Sequence, residues 1–202
     1  MRRLRVVQPV ARCGMLSVMS PTPAAPLPSP RDPSGPYRVC CVCLGNICRS
    51  PMAEVVLRAQ IAAAGLQDRV IVDSAGTGDW HVGDRMNPPA RRLLERRGYD
   101  GAAHRARQVD ASWLAGRDLF LAMDGSNLAN LRALAQQEGA APDTLRRIRL
   151  FGEVAGLGGA DVPDPWGGSP AEFARVLTML ETGMARIVSQ LRDVVGAAAT
   201  ER

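Results

Sequence analysis

Residues 39–54 read VCCVCLGNICRSPMAE and combine an apolar strand pattern, a loop and a helix start. Residues 39–43 are mostly β-favouring, and Ser50 followed by Pro51 places a capping hydroxyl before a proline at the first helical position. A loop between a strand and a helix N-terminus directs main-chain N–H groups and the positive end of the helix dipole towards one point. This stretch therefore predicts a site for an oxyanion.

Two side chains of this loop carry chemistry. Cys43 ends the strand, Arg49 follows six residues later, and the chain contains no lysine, which excludes a P-loop ATPase. The helix dipole and the guanidinium favour a nucleophilic thiolate, and arginine donates two parallel hydrogen bonds to phosphoryl oxygens. The pair predicts attack by sulfur on a phosphate monoester. Zinc is the alternative for Cys40, Cys43 and Cys48, but neither a histidine nor a second cysteine cluster completes a four-ligand set.

The stretch from Val42 to Glu54 resembles the signature of the low-molecular-weight protein tyrosine phosphatase family of bacterial type, and the resemblance covers the chain from about Tyr37 onward. It implies a hydrolase without metal or cofactor that acts on tyrosine-phosphorylated proteins, with Cys43 as nucleophile and Arg49 holding the phosphate. The resemblance also implies substrate-binding roles for Leu44, Gly45, Asn46, Ile47, Cys48, Trp80 and Trp166, and loop-supporting roles for Ser50, Ser74 and His104. A partly buried surface tryptophan is the alternative for Trp80, and we expect His81 to be solvated.

The proline-rich loop 161–166 offers two candidates for the general acid that protonates a leaving phenolate, Asp161 and Asp164. Pro163 and Pro165 flank Asp164 and stiffen its position. Composition alone favours ordinary turn residues for both aspartates. Asp164, unlike Asp161, aligns with the Asp-Pro acid that the resemblance implies. Asp124 resembles the second residue of a structural Met-Asp pair of the family.

Other functions stay open beside the phosphotyrosine phosphatase. Phosphoarginine phosphatases resemble the same family but carry threonine where this chain has Ile47, and the apolar Ile47 with Trp166 favours a flat aromatic ester. Arsenate reductases share the fold and the nucleophile but need further cysteines, and none follows Cys48. A catalytically idle phosphate-binding or thiol-sensing module is the alternative from another class, although nucleophile, arginine and acid are all present.

Strand and helix patterns alternate along the chain, which is typical of a parallel sheet with right-handed crossovers. Predicted strands lie at 39–43, 69–74, 119–123 and, more weakly, 145–151. Predicted helices lie at 51–64, 87–97, 126–137 and from a capping box at 169–172 to near the C-terminus. The sequence predicts a single α/β domain with a doubly wound four-stranded parallel sheet, helices on both faces and a phosphate-binding loop after the first strand, at the carboxyl ends of the strands.

Residues 1–36 differ in composition from residues 37–202. They contain seven prolines from position 21 onward, and five arginines against Asp32 alone supply +4 of the net charge of +5. We expect a disordered leader whose residues 1–34 can be deleted without harm to the fold, a start codon that could be mis-assigned, and a phosphatase domain over 37–202. The nearly neutral domain predicts no nucleic-acid partner, and the absence of a long apolar run predicts no membrane partner. The bunched cysteines predict a reducing, cytoplasmic location. We also expect a monomer or weak dimer.

Overall fold

The computed structural model describes residues 24–200. Within that range one parallel sheet is formed by β1 (Tyr37–Cys43), β2 (Val70–Gly76), β3 (Leu119–Ala122) and β4 (Ile148–Leu150). The spatial order is β2-β1-β3-β4, and β1 pairs with both β2 and β3. The loop after β1 therefore leaves the sheet where the strand order reverses, which is where open α/β sheets bind ligands. The predicted doubly wound, four-stranded parallel sheet is confirmed.

Helices cover both faces of the sheet. The helices are α1 (Arg49–Ala63), α2 (Pro88–Arg96), α3 (Trp113–Gly116), α4 (Gly125–Gln137), α5 (Pro142–Arg146), α6 (Phe151–Val154) and α7 (Pro170–Thr200). Apolar residues of α1, α2 and α7 pack on one face of the sheet, and those of α3 and α4 pack on the other. The central strand is therefore apolar on both sides, as parallel strands usually are.

The cysteines of β1 alternate between these two faces. Cys41 and Cys43 join the cluster under α1 and α7, whereas Cys40 joins the cluster under α4. Burial raises the pKa of both Cys40 and Cys41 well above the usual value of a thiol. These two residues are apolar core thiols, and only Cys43, at the end of the strand, reaches the loop.

Several element boundaries differ from the predicted ones. The predicted strand at 145–151 is only Ile148–Leu150, because Pro142 opens the helix α5 before it and Phe151 begins α6 after it. The short helices α3, α5 and α6 were not predicted, since four or five residues are too few to show a helical period. The helix predicted at 51–64 begins at Arg49 with Cys48 as its N-cap, so the capping role predicted for the Ser50 hydroxyl is wrong.

Residues 24–36, here called the N-terminal strap, contain no helix or strand but dock on the domain. The main-chain N–H of Arg31 donates to Asp118 Oδ1 (2.6 Å), and its guanidinium donates to the carbonyl oxygens of Arg117 (2.9 Å) and Leu114 (3.1 Å) and to Thr144 Oγ1 (3.1 Å). These partners surround the start of β3. The strap thus covers the amino-terminal end of β3, at the end of the sheet opposite to the loop after β1.

The strap continues past β4 towards α6. Ser29 accepts a hydrogen bond from Arg147 Nη1 (2.8 Å), Pro28 accepts one from Tyr37 Oη (3.0 Å), and the Ala25 N–H donates to the carbonyl oxygen of Glu153 (3.1 Å). Residues 24–36, which we expected to belong to a disordered leader, thus make hydrogen bonds with the domain, and we expect their deletion to lower its stability. Residues 1–23 of the predicted leader lie outside the described residues.

Candidate active site

Residues 43–49, here called the phosphate loop, connect β1 to α1. Main-chain N–H groups from outside the loop donate hydrogen bonds to its carbonyl oxygens. Thr77 N–H donates to Cys43 O (2.9 Å), Gly78 N–H to Leu44 O (2.9 Å) and Asn87 N–H to Ile47 O (2.8 Å). Within residues 24–200, no group accepts from the main-chain N–H of residues 44–48. With its carbonyls held outward, the loop presents a concave row of donors at the start of a helix, which is the arrangement that binds an oxyanion.

Asn46 fixes the middle of the loop. It is fully buried and is the one non-glycine residue with positive φ among the described residues (φ 54°). Asparagine tolerates this left-handed conformation better than most residues. Its amide Nδ2 donates to Ser50 Oγ and to Ser74 Oγ, both at 2.9 Å, and its Oδ1 accepts from the Arg107 N–H (2.8 Å). Hydrogen bonds in three directions thus hold the loop in one conformation.

Ser50 connects this network to the nucleophile candidate. Ser50 Oγ lies 3.0 Å from Cys43 Sγ and 3.2 Å from the carbonyl oxygen of Ala75. The hydroxyl has one proton, so it can donate to either the carbonyl or the sulfur. When Cys43 is a thiolate, the sulfur can only accept, and the Ser50 proton becomes its stabilising donor. Ser50 therefore supports the charged form of the thiol rather than the helix cap.

His104 holds the loop from behind. Its Nε2 lies 2.8 Å from the carbonyl oxygen of Asn46, which can only accept, so Nε2 carries the proton. Burial lowers the pKa of His104, while the hydrogen bond to Asn46 and the charge of Glu54 act in the opposite direction. Glu54 also accepts from Ser74 Oγ (2.5 Å). Ser74 and His104 thus lie behind the loop and contact Asn46 directly.

Arg49 is buried and oriented by two carboxylates. Its Nη1 donates to Asp124 Oδ2 and to the carbonyl oxygen of Val162 (3.2 Å), and its Nη2 donates to Asp164 Oδ2 (2.8 Å). Burial opposes the charge, but the hydrogen bond to Asp124 and the charges of Cys43 and Asp164 outweigh it and raise the pKa of Arg49. The guanidinium therefore stays charged and points into the pocket.

The two aspartates of the loop 161–166 occupy different places. Asp164 lines the pocket together with Cys43 and Arg49, and its Oδ1 accepts from the Trp166 N–H (3.1 Å). Asp161 instead accepts from the Gly125 N–H (3.0 Å) at the start of α4. Only Asp164, with 45% of its side chain exposed, can contact both the pocket and solvent.

The pocket has a volume of about 220 Å³ and lies over the phosphate loop. Its bottom is formed by Cys43 and Arg49, and its walls and rim contain Leu44, Gly45, Ile47, Cys48, Trp80, His81, Asp164 and Trp166. Trp80 and Trp166 are 63% and 66% exposed, so both flat rings are free to contact a substrate. Asn46 is absent from this lining because it is fully buried behind the loop.

His81, which we expected to be solvated, also lines the pocket. Its side chain is 30% exposed, and its Nδ1 lies 2.9 Å from Asp84 Oδ2. The ring lies so close to Gly45 that a Cβ at position 45 would be 2.8 Å from His81 Cδ2. The signal in the sequence was the neighbouring Trp80, but the contact with Gly45 depends on how the two loops pack.

Cys48 lies in the same pocket but in another electrostatic environment. Burial raises its pKa to about 12, and the charges of Cys43 and Asp164 act in the same direction while Arg49 opposes them. Cys48 is therefore a neutral thiol at physiological pH, and the described cysteines form no disulfide. It contributes apolar surface beside the nucleophile candidate.

The sequence predicts Asp124 as the cap of the helix that follows it, which is confirmed, but sequence reasoning missed the contact of Asp124 with Arg49 and that of Asn87 with Ile47. Asp124 caps α4 by accepting from the Asn127 N–H (2.7 Å) and also orients Arg49. Its place at the carboxyl end of β3, beside the end of β1, was the available signal. The main-chain N–H of Asn87 donates to the carbonyl oxygen of Ile47, and no side-chain pattern in the sequence predicts such a contact.

Neither a metal cluster nor a membrane span is found among residues 24–200. No group of three or more His, Cys, Asp or Glu residues in that range could hold a metal ion. No helix in the same range is long and apolar enough to cross a membrane.

Comparison with known proteins connects this geometry to a family. The family model described as low molecular weight phosphotyrosine protein phosphatase matches residues 38–196. A low molecular weight protein-tyrosine-phosphatase of Streptomyces coelicolor is 43% identical over 159 residues, which cover 79% of this chain and 96% of that protein.

Solved structures agree with the sequence comparison. The crystal structure of YfkJ from Bacillus subtilis has 34% sequence identity and a TM-score of 0.69, and the match covers 78% of this chain and 96% of that one. YwlE of Bacillus subtilis, named an arginine phosphatase and solved as a mutant with a phosphorylated active site serine, has 27% identity and a TM-score of 0.68 over 77% of this chain and 96% of that one.

Proposed function

Because the chain belongs to the low molecular weight phosphotyrosine protein phosphatase family, we propose that it hydrolyses phosphotyrosine in proteins through a phosphocysteine intermediate on Cys43. The observation that supports these roles is one pocket in which Cys43, Arg49 and Asp164 meet over a loop with inward-facing N–H groups. Each of the three supplies one part of a phosphoryl transfer: nucleophile, charge stabilisation and proton donor.

In the first step the Cys43 thiolate attacks phosphorus while the loop N–H groups and Arg49 bind the equatorial oxygens. In the structure Arg49 Nη2 donates to Asp164 Oδ2. A bound phosphate group competes for the same guanidinium and so frees the Asp164 carboxyl to face the leaving oxygen. The protonated carboxyl then gives its proton to the phenolate, because an unprotonated phenolate is a poorer leaving group.

In the second step a water molecule attacks the phosphocysteine. Asp164, now a carboxylate, takes the proton of that water, and the thiolate of Cys43 leaves. Ser50 Oγ, 3.0 Å from the sulfur, is placed to donate to the thiolate as it re-forms. One residue thus serves as acid and then as base, and the loop returns to its starting state.

We propose phosphotyrosine rather than phosphoarginine as the substrate class. Ile47 of the phosphate loop lines the pocket together with Trp80 and Trp166. A phenyl ring is well suited to such an apolar slot, whereas a charged guanidinium would lose hydration without a compensating hydrogen bond. The phosphoarginine alternative, which the likeness to YwlE keeps open, predicts the reverse preference.

Hydrolysis of p-nitrophenyl phosphate in the presence of a metal chelator tests the reaction class. We expect turnover that the chelator leaves unchanged, since the three groups need no metal. No turnover would contradict the proposal and favour the idle phosphate-binding module, whereas turnover that disappears with the chelator would contradict the metal-independent mechanism.

Comparing kcat/KM for a phosphotyrosine peptide and a phosphoarginine peptide tests the substrate class. We expect the parent to prefer phosphotyrosine and Ile47→Thr to shift the ratio towards phosphoarginine, because threonine adds a hydrogen-bonding group to the slot. A parent that prefers phosphoarginine would overturn the substrate class while leaving the phosphocysteine chemistry intact.

We also propose that the enzyme acts in the cytoplasm. The four described cysteines are all free, and the reaction needs one of them as a thiolate. Reducing compartments preserve such thiols.

A further inference from the structure

We propose that His81 is a specificity-determining residue that binds a main-chain N–H of the substrate protein next to the phosphotyrosine. The proposal rests on the proposed function, since it concerns how the same pocket distinguishes a protein substrate from a small aryl phosphate. It starts from an imidazole that lines the pocket without a part in the phosphoryl transfer.

Asp84 determines which nitrogen of His81 can bind a substrate. Nδ1 lies 2.9 Å from Asp84 Oδ2, and a carboxylate accepts hydrogen bonds. The neutral ring therefore carries its proton on Nδ1 and leaves a lone pair on Nε2. Within residues 24–200 no group donates to that Nε2. In its neutral form His81 thus offers one acceptor, at Nε2.

The ring that carries this acceptor lies at the wall of the pocket. The imidazole packs on Gly45 of the phosphate loop, where a Cβ would lie 2.8 Å from Cδ2 and 3.7 Å from Nε2. The turn that carries it is held at both ends, by Gly78 N–H to Leu44 O (2.9 Å) and by Ala106 N–H to Asp84 O (2.8 Å). A fixed ring loses little conformational entropy when it binds a partner.

The hydrogen-bond donors that a phosphotyrosine substrate carries indicate what His81 Nε2 can bind. The phenyl ring of a phosphotyrosine carries no N–H group, and its phosphate is directed to the donors of the loop. Every phosphotyrosine protein, however, brings main-chain N–H groups to the mouth of the pocket. An acceptor on the wall matches those donors independently of the flanking side chains, which suits an enzyme that recognises phosphotyrosine in a chain.

Backbone methylation of the substrate tests this interaction. Three peptides are compared: one unmodified, one N-methylated at the phosphotyrosine amide and one N-methylated at the following amide. Since a neutral hydrogen bond contributes about 0.5–1.5 kcal/mol net, we expect one methylated peptide to lose about 2- to 12-fold in kcat/KM with the parent enzyme. A parent that hydrolyses all three equally overturns the proposal, and this comparison needs no variant that has to fold.

Substitution of His81 then assigns the effect to the residue. His81→Phe keeps a ring against Gly45 but removes Nε2, so we expect it to lower kcat/KM for the unmodified peptide more than for p-nitrophenyl phosphate and to abolish the discrimination between the peptides. Val82→Ala, at an adjacent residue with 59% exposure that does not line the pocket, is the matched control and should keep the discrimination. His81→Phe that still discriminates overturns the proposal.

The same measurements separate this inference from the proposed function. If the parent hydrolyses neither the peptides nor p-nitrophenyl phosphate, the phosphatase assignment fails and the inference fails with it. If it hydrolyses all of them but ignores methylation, only the role of His81 is wrong.

Discussion

Residues 44–48 of the phosphate loop and the N-terminal strap (24–36) both lie outside helices and strands, yet hydrogen bonds to distant residues hold both in place. They differ in the direction of their polar groups. The loop turns its carbonyls outward to external donors and keeps its N–H groups for a ligand, whereas the strap uses its main chain and Arg31 to bind the domain itself. Irregular backbone thus serves chemistry in one region and stability in the other.

This comparison predicts opposite consequences of mutation. Changes in the loop and above it should reduce turnover much more than stability, because these groups act on the transition state. Changes in the strap should reduce stability and leave turnover nearly unchanged, because no strap residue lines the pocket.

The largest effect is expected for Cys43→Ser. Replacing the thiolate by a hydroxyl removes the nucleophile, so we expect kcat for p-nitrophenyl phosphate to fall by at least about 10⁴-fold, as for other catalytic nucleophiles. Binding of a phosphotyrosine peptide, measured by calorimetry, should persist because the loop N–H groups and Arg49 remain. Residual turnover above this limit would remove Cys43 from its role.

Asp164→Asn should cost on the order of 10²–10⁴ in rate for esters with poor leaving groups and less for good ones, as expected for a general acid. The measurement is kcat for a series of aryl phosphates plotted against leaving-group pKa. Asp161→Asn is the matched control in the same loop, because an asparagine oxygen can still accept from the Gly125 N–H. A loss that is independent of the leaving group would contradict the acid role of Asp164.

The strap gives the complementary experiment. Arg31→Ala removes donors to two carbonyl groups and to Thr144 Oγ1, which we expect to cost about 2 kcal/mol in the free energy of unfolding and about 4–8 °C in Tm for a domain of this size. Arg38→Ala, an exposed arginine in the adjacent strand, is the control and should change Tm little. Turnover should stay within about twofold of the parent in both variants.

If Arg31→Ala has the same Tm as the parent, the sequence-based expectation of a dispensable leader would be supported instead. Truncation sharpens the distinction, since a chain that begins after residue 36 should melt earlier than one that begins at residue 24. Equal melting of the two truncated chains would show that the strap contributes nothing.

The sequence predicted the loop and missed the strap for one physical reason. The loop motif is local, because strand, turn and helix start are consecutive in the sequence. Its side chains Cys43 and Arg49 indicate a nucleophile and a phosphate-binding group. The strap has no periodicity, and the partners of Arg31 lie 83 to 113 residues away in sequence, so its order follows from the assembled fold. Sequence reasoning likewise predicted Asp164 by its resemblance to the Asp-Pro acid of the family but missed the contact between His81 and Gly45, which only the packing of two loops creates.

The smallest effect is expected at His104, which supports the loop without contacting the pocket. Burial holds the pKa of His104 below the usual 6.5, so between that pKa and 6.5 the folded protein binds fewer protons than the unfolded chain. The corresponding stabilisation is present above about pH 6.5 and is lost as the pH falls through the folded-state pKa. His104→Gln keeps a donor for the carbonyl oxygen of Asn46 but cannot titrate. We therefore expect the Tm of the parent to fall more steeply than that of His104→Gln between pH 7 and pH 5, by a difference smaller than the strap effect. Parallel Tm profiles would show that His104 titrates alike in the folded and unfolded states, which would contradict the buried, neutral imidazole behind the phosphate loop.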